Sequence, residues 1–282
     1  MPSFRYVVAD VFTSRPLEGN QLAVFTDARE IPEHRLQAIA REFRLPETVF
    51  VYPPEAEGHA RIRIFTPATE LPFAGHPVLG TAFVLGTPMQ LPEIWLETGR
   101  GVVPIALERS DAGRLDFGRM SQPVPAIEPY PEAEELLEVL GVEAHAPVEL
   151  YDNGVRHVLV LLGSADEVAA LEPDTAALGR LPGDGFNCFA GSGSSWKTRM
   201  FGPSLGIEED PATGSAAGPI AVHLARRGSI AFGDEIELSQ GAEILRPSTL
   251  YARVEGSQES IERVEVGGSA VIVARGEVRL PS

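Results

Sequence analysis

A seven-residue element occurs twice in this chain, and it limits the folds open to it. Glu70-Leu71-Pro72-Phe73-Ala74-Gly75-His76 is matched by Glu209-Asp210-Pro211-Ala212-Thr213-Gly214-Ser215, with Glu, Pro and Gly coincident at an offset of 139 (209 − 70). The same offset carries Ala82 onto Ala221 and Leu85 onto Leu224. Upstream, Arg63-Ile64-Phe65-Thr66-Pro67 echoes Arg199-Met200-Phe201-Gly202-Pro203 at an offset of 136 (199 − 63). Two runs in the same order imply an old duplication: two similar halves, each with a turn that opens a helix. A cleft between such halves would face two helix starts toward one small molecule.

At 282 residues the chain has the length of about two domains. Its net charge of −17, from 23 basic and 40 acidic residues, argues against nucleic acid and against anionic membrane surfaces, which are bound through basic patches. An anionic small substrate stays open, because local dipoles and hydrogen bonds outvote a global charge. The single cysteine, Cys188, permits neither a disulfide framework nor a thiolate metal cluster within one chain. No apolar run approaches the ~18 residues of a membrane span. Met1 to Arg5 lacks the layout of a signal peptide. The expectation is a cytoplasmic protein.

Tyr6 to Phe12, Gln21 to Phe25, Thr48 to Tyr52 and Ala60 to Phe65 read as strands, and Pro32 opens a helix with Leu36, Ile39, Ala40 and Phe43 on one stripe. Pro77 to Leu85 is apolar on all sides, the mark of a buried helix, and Ser215 to Arg227 mirrors it. Prolines 123, 125, 129 and 131 make the best linker candidate. Asp184 to Ser195, rich in Gly and Ser, reads as an exposed or active-site loop. The expected domains are 1–118 with 270–282, and 119–269.

A helix start with Gly and a short polar residue leaves free backbone N–H groups facing a ligand, and the helix dipole favours negative charge there. Gly75-His76 and Gly214-Ser215 supply two such starts, and together they suit a carboxylate. Each alone also fits a tight turn with an ordinary cap. Glu47, between a helix end and an apolar strand, suits proton transfer if withdrawn from water, and read alone it equally suits a solvated charge. Asp210 lies directly before the second turn. His34, His59, His145, His157 and His223 show no metal-ligand spacing.

These residues carry a family resemblance. Asp10-Val11-Phe12-Thr13 with Gly19-Asn20, Glu47-Thr48-Val49-Phe50-Val51, Arg63 to Gly80 and Arg199 to Pro219 resemble the PhzF-like proteins, named for the phenazine-biosynthesis isomerase, as do Gln240-Gly241 and Arg246-Pro247-Ser248. The resemblance implies an α+β, diaminopimelate epimerase-like fold: two pseudo-twofold related domains, each a curled, mostly antiparallel sheet or barrel around a central helix. It implies an active site in the cleft between them, a homodimer, and no cofactor or metal. The family's catalytic glutamate falls on Glu47, its histidine on His76 and its aspartate on Asp210. Its substrate-binding positions fall on Asn20, Gly75, Gly214 and Ser215. Pro46 departs from the family's usual serine, which leaves room for a substrate other than the family's own. Neither turn carries a cysteine, which excludes a two-thiol racemase.

The expected activity is therefore a cofactor-independent isomerase that moves a proton on a small carboxylated substrate. The alternatives are a non-catalytic binding or scaffold protein, and a hydrolase or lyase that uses Glu47 with water.

Overall fold

A computed structural model describes residues 1–280; residues 281 and 282, which end the expected N-terminal domain, lie outside the described residues. The chain divides into two compact units, Met1–Ser121 with Gly267–Ser282, and Gln122–Val266.

In the first unit, strand Ser3–Val11 pairs antiparallel with both Asn20–Phe25 and Ala270–Arg279. Asn20–Phe25 runs parallel to Glu47–Tyr52, which demands a crossover, and the amphipathic helix Glu33–Phe43 supplies it. Leu36, Ile39 and Ala40 of that helix bury against Phe25, Phe50 and Phe65. Glu47–Tyr52 pairs antiparallel with Ala60–Phe65, which continues antiparallel to Glu70–Leu71 and parallel to Glu93–Thr98. The central helix Gly75–Met89 bridges those last two strands and is buried from Gly75 through Val84. A Cβ on Gly80 would stand 2.7 Å from both Leu22 and Val11, so the helix lies directly on the sheet with no space for a larger residue.

The second unit repeats this plan. Arg156–Leu161 pairs antiparallel with Glu149–Asp152 and parallel with Gly185–Ser192, the crossover here being the short helices Ala165–Ala169 and Thr175–Leu178. Gly185–Ser192 pairs antiparallel with Ser195–Gly202, which continues antiparallel to Ile207–Asp210 and parallel to Glu235–Gln240. The central helix Gly214–Arg226 again bridges the last two strands. Strand sense and helix position therefore agree element by element, the topology expected of the duplication. The repeated arginines behave alike as well: Arg63 grips Glu70 through two bonds of 2.7 Å, and Arg199 grips Glu209 through bonds of 2.9 and 2.7 Å.

Two expectations need correction. Residues 184–195 do not form an open loop. Gly185–Ser192 is a strand whose first six residues are buried, and exposure is confined to 191–195, around the tight turn at 193–194. Glycine there serves close packing: a Cβ on Gly191 would meet Ser195 O at 2.3 Å. The proline-rich stretch begins at the boundary between the units, as a linker would, but from Ala126 it is strand and not free chain. Ala126–Pro129 pairs antiparallel with Glu149–Asp152, with Pro129 at the strand's end, where a missing N–H is tolerated.

Candidate active site

In the first unit three elements converge on one cluster. Glu47 opens its strand, Asn20 opens the neighbouring strand, and His76 is the second residue of the central helix. The turn before Asn20 is held by Leu17 and Gly19, both with positive φ (71° and 69°), and by Asp10, whose carboxylate accepts from Leu17 N at 2.7 Å. A Cβ on Gly19 would meet Val11 O at 2.4 Å, so this turn requires glycine. Glu47 and His76 are 5% and 3% exposed, which answers the question of a solvated Glu47 in favour of burial.

His76 Nε2 lies 2.9 Å from Glu47 Oε2, and Asn20 Nδ2 lies 3.1 Å from His76 Nδ1. With the Asn20 amide donating to Nδ1, the neutral ring carries its proton on Nε2, the nitrogen that faces the carboxylate. Glu47 Oε2 accepts no aligned hydrogen bond among the described residues, so the 2.9 Å approach of His76 Nε2 is a close contact that leaves a lone pair for a proton. The helix start beside it carries no side-chain cap and no acidic residue in its first turn. The helix begins on Gly75 and His76, and Pro77 in its first turn has no N–H.

In the second unit Asp210 ends its strand and is buried. Thr213 Oγ1 donates to Asp210 Oδ2 at 2.6 Å rather than capping its own helix. Gln240 accepts from Thr213 N at 2.9 Å and donates to Asp210 O at 2.7 Å, locking the turn. The helix start is again uncapped and free of acid in its first turn. Pro219, four residues after Ser215, cannot donate to Ser215 O as a helical N–H would; Asn153 Nδ2 does so instead at 2.8 Å. Gln122 Nε2 donates to Gly214 O at 2.7 Å. Ser215 Oγ lies 3.0 Å from His157 Nε2.

Sheet register adds a comparison that the sequence repeat does not contain. Arg63 stands opposite Phe50, and its counterpart Arg199 stands opposite Cys188. Three residues back along each partner strand, the position of Glu47 corresponds to Gly185. A Cβ on Gly185 would meet Met200 Cε at 2.5 Å and His157 Nδ1 at 3.3 Å. The second unit holds no carboxylate at that position and little room for one. Among the described residues no group of three or more His, Cys, Asp or Glu is arranged to hold a metal ion, and no helix is long and apolar enough to cross a membrane.

Comparison with known proteins agrees with this architecture. A family model described as "Phenazine biosynthesis-like protein" (PhzC-PhzF) matches residues 9–276. The chain belongs to the phenazine biosynthesis-like family. It is 50% identical over 277 residues to the trans-2,3-dihydro-3-hydroxyanthranilate isomerase of Pseudomonas aeruginosa, covering 98% of this chain and 99% of the relative. With curated relatives of about half identity named as isomerases, the chain is an enzyme of that class. A PhzF-family protein from Bacillus anthracis superposes with a TM-score of 0.87 at 24% identity, over 99% of this chain and all of that one. A hydroxyproline epimerase from Agrobacterium vitis superposes with a TM-score of 0.70 at 13% identity, over 98% of this chain and 92% of its own. At such identities these two show the fold alone, and that fold is the epimerase-like α+β fold expected.

Asn187, Asn153 and Gln122 have no signal in the sequence, Gln240 has one only within the family-like Gln240-Gly241, and His157 stands there only as a histidine without metal-ligand spacing. His157 is fully buried, and burial pushes it down from the ordinary 6.5 to about 3. His223, on the second central helix, is fully buried; burial, and then Arg227, push it down to about 4. Both rings stay neutral in the folded state but take a proton near 6.5 when unfolded. Stability is therefore full above about pH 6.5 and falls as pH drops, toward about 4 for His223 and about 3 for His157, by up to about 1.4 kcal/mol per pH unit for each ring. Urea titrations of wild type and His157→Gln between pH 7 and 4 check this: the variant loses stability more gently on acidification.

Proposed function

We propose that this chain isomerises trans-2,3-dihydro-3-hydroxyanthranilate or a close cyclic amino-carboxylate, by moving a proton between ring carbons with the shift of a double bond. The relatives' printed activity at 50% identity supports the substrate class. The observation that carries the chemistry is one buried glutamate within 2.9 Å of a histidine, with glycine at the matching place in the other unit.

Glu47 takes the proton from carbon through Oε2 and returns it to a second carbon, so proton and electrons balance within the substrate. His76 Nε2–H holds the carboxylate in orientation, and Asp210 assists it. The family resemblance supports a substrate held in a cleft between the two units. The N–H groups of Gly75, His76, Gly214 and Ser215 hold its carboxylate and the negative charge that develops when the proton leaves, and Asn20 completes the binding set. Proton transfer of this kind calls on no cofactor or metal. The family resemblance supports a homodimer working in the cytoplasm. Pro46, beside Glu47 in the chain, offers a substrate neither a hydroxyl nor an N–H.

Turnover by the purified chain tests this. Trans-2,3-dihydro-3-hydroxyanthranilate, followed by its ultraviolet absorbance in the presence of EDTA, is consumed at a rate that the chelator leaves unchanged. No consumption at any enzyme concentration removes the substrate assignment, and loss of rate with EDTA removes the metal-free mechanism.

A further inference from the structure

We propose that His157 is a positioning residue that makes the Ser215 hydroxyl an obligate hydrogen-bond donor to the substrate. It rests on the reading of Ser215 as a substrate-binding residue and extends it to a residue outside both repeated turns.

Three side chains fix the position of one proton. Asn187 Nδ2 lies 3.1 Å from Gly185 O and 3.5 Å from Val158 O. Both are carbonyls, which only accept, so the nitrogen of the amide is on that side and its oxygen on the other. The same Nδ2 lies 3.3 Å from His157 Nδ1. Nδ1 therefore accepts, and the single proton of the ring is on Nε2. Nε2 is 3.0 Å from Ser215 Oγ, so the imidazole donates and the hydroxyl accepts. An imidazolium would place an N–H against the Asn187 amide, and the ring's full burial disfavours its charge in any case.

Ser215 Oγ then has one lone pair occupied and its own hydrogen uncommitted. Among the described residues it donates to no protein acceptor. The backbone is pinned beside it, because Asn153 holds Ser215 O and Gln122 holds Gly214 O. The hydroxyl cannot turn its hydrogen back on His157, which has no lone pair to offer there. Although a serine, a histidine and an amide stand in a row, His157 is no general base and Ser215 no nucleophile. The group that takes the Ser215 hydrogen must be an acceptor, such as a carboxylate or carbonyl oxygen.

The test separates tautomer from function. In 15N-histidine-labelled protein, with the His157 signals assigned through their loss in His157→Gln, long-range 1H–15N spectra show a protonated Nε2 and a bare Nδ1 from pH 5 to 8. A protonated Nδ1 in wild type overturns the proposal whatever the enzyme's activity. In steady-state kinetics His157→Leu raises KM roughly ten- to hundred-fold with a smaller change in kcat, the scale of one hydrogen bond to a charged group, and His157→Gln restores most of it. Asn187→Asp keeps the imidazole but requires Nδ1–H, which turns Nε2 into an acceptor. It raises KM as His157→Leu does, even if the leucine variant folds poorly. A switched tautomer in Asn187→Asp with KM unchanged overturns the proposal. Ser215→Ala with KM unchanged overturns it together with the binding role of Ser215, while the wild-type tautomer still reports on the His157–Asn187 geometry alone.

Discussion

Glu47→Gln lowers kcat roughly a thousand-fold, the scale on which a positioned general base contributes, and leaves the folded protein nearly as stable as wild type. The amide is isosteric with the carboxylate and its oxygen can still face His76 Nε2, now 2.9 Å from Oε2, so the cluster survives while its proton acceptor is lost. Glu47→Asp keeps the acid but withdraws it toward the strand, and loss of rate by about a hundred-fold follows from misplacement alone. Rapid-quench kinetics with circular dichroism of the same samples check both. A Gln variant within ten-fold of wild type would put the carbon base elsewhere.

Arg199→Ala is the second large effect, and it is one of stability. The two repeated arginines make the same bidentate pair in different surroundings. The Arg199 and Glu209 side chains are 8% and 9% exposed, and Nη1 of Arg199 also donates to the carbonyls of Val168, Ala169 and Leu171. Removing the guanidinium strands a buried carboxylate and three carbonyls, a loss of about 3–5 kcal/mol. Arg63 and Glu70 are 23% and 41% exposed, and Arg63→Ala costs at most about 1 kcal/mol. Urea unfolding of the two variants side by side checks the contrast. The ion pair is an inherited part of the duplicated turn, and burial alone decides its worth.

The sequence showed the duplication because each copy needs the same residues for local reasons: a glycine where the helix begins, a glutamate to meet the arginine, small residues where the helix lies on the sheet. Glu47, His76 and Asn20 were readable through the family resemblance, and the structure brings them within contact of one another. His157 was not readable, since its partner Ser215 lies 58 residues away and only the parallel pairing of Arg156–Leu161 with Gly185–Ser192 sets Asn187 beside it. Gly185 has the same character. Its meaning as the counterpart of Glu47 depends on sheet register and on no local pattern. Residues 184–195 misled because Gly, Ser and Asn signal a turn in isolation, whereas a strand buried on both faces accepts small residues wherever neighbours press close.

The central claim is that one carboxylate, Glu47, both removes and returns the migrating proton. Proton NMR of trans-2,3-dihydro-3-hydroxyanthranilate incubated in D2O with wild type and with Glu47→Gln tests it most directly. The account predicts product from wild type carrying less than one full deuterium at the newly protonated carbon, because part of the original proton is delivered before it exchanges, and neither product nor exchange from the variant. Deuterium entering the substrate or product at the wild-type rate in Glu47→Gln would contradict it.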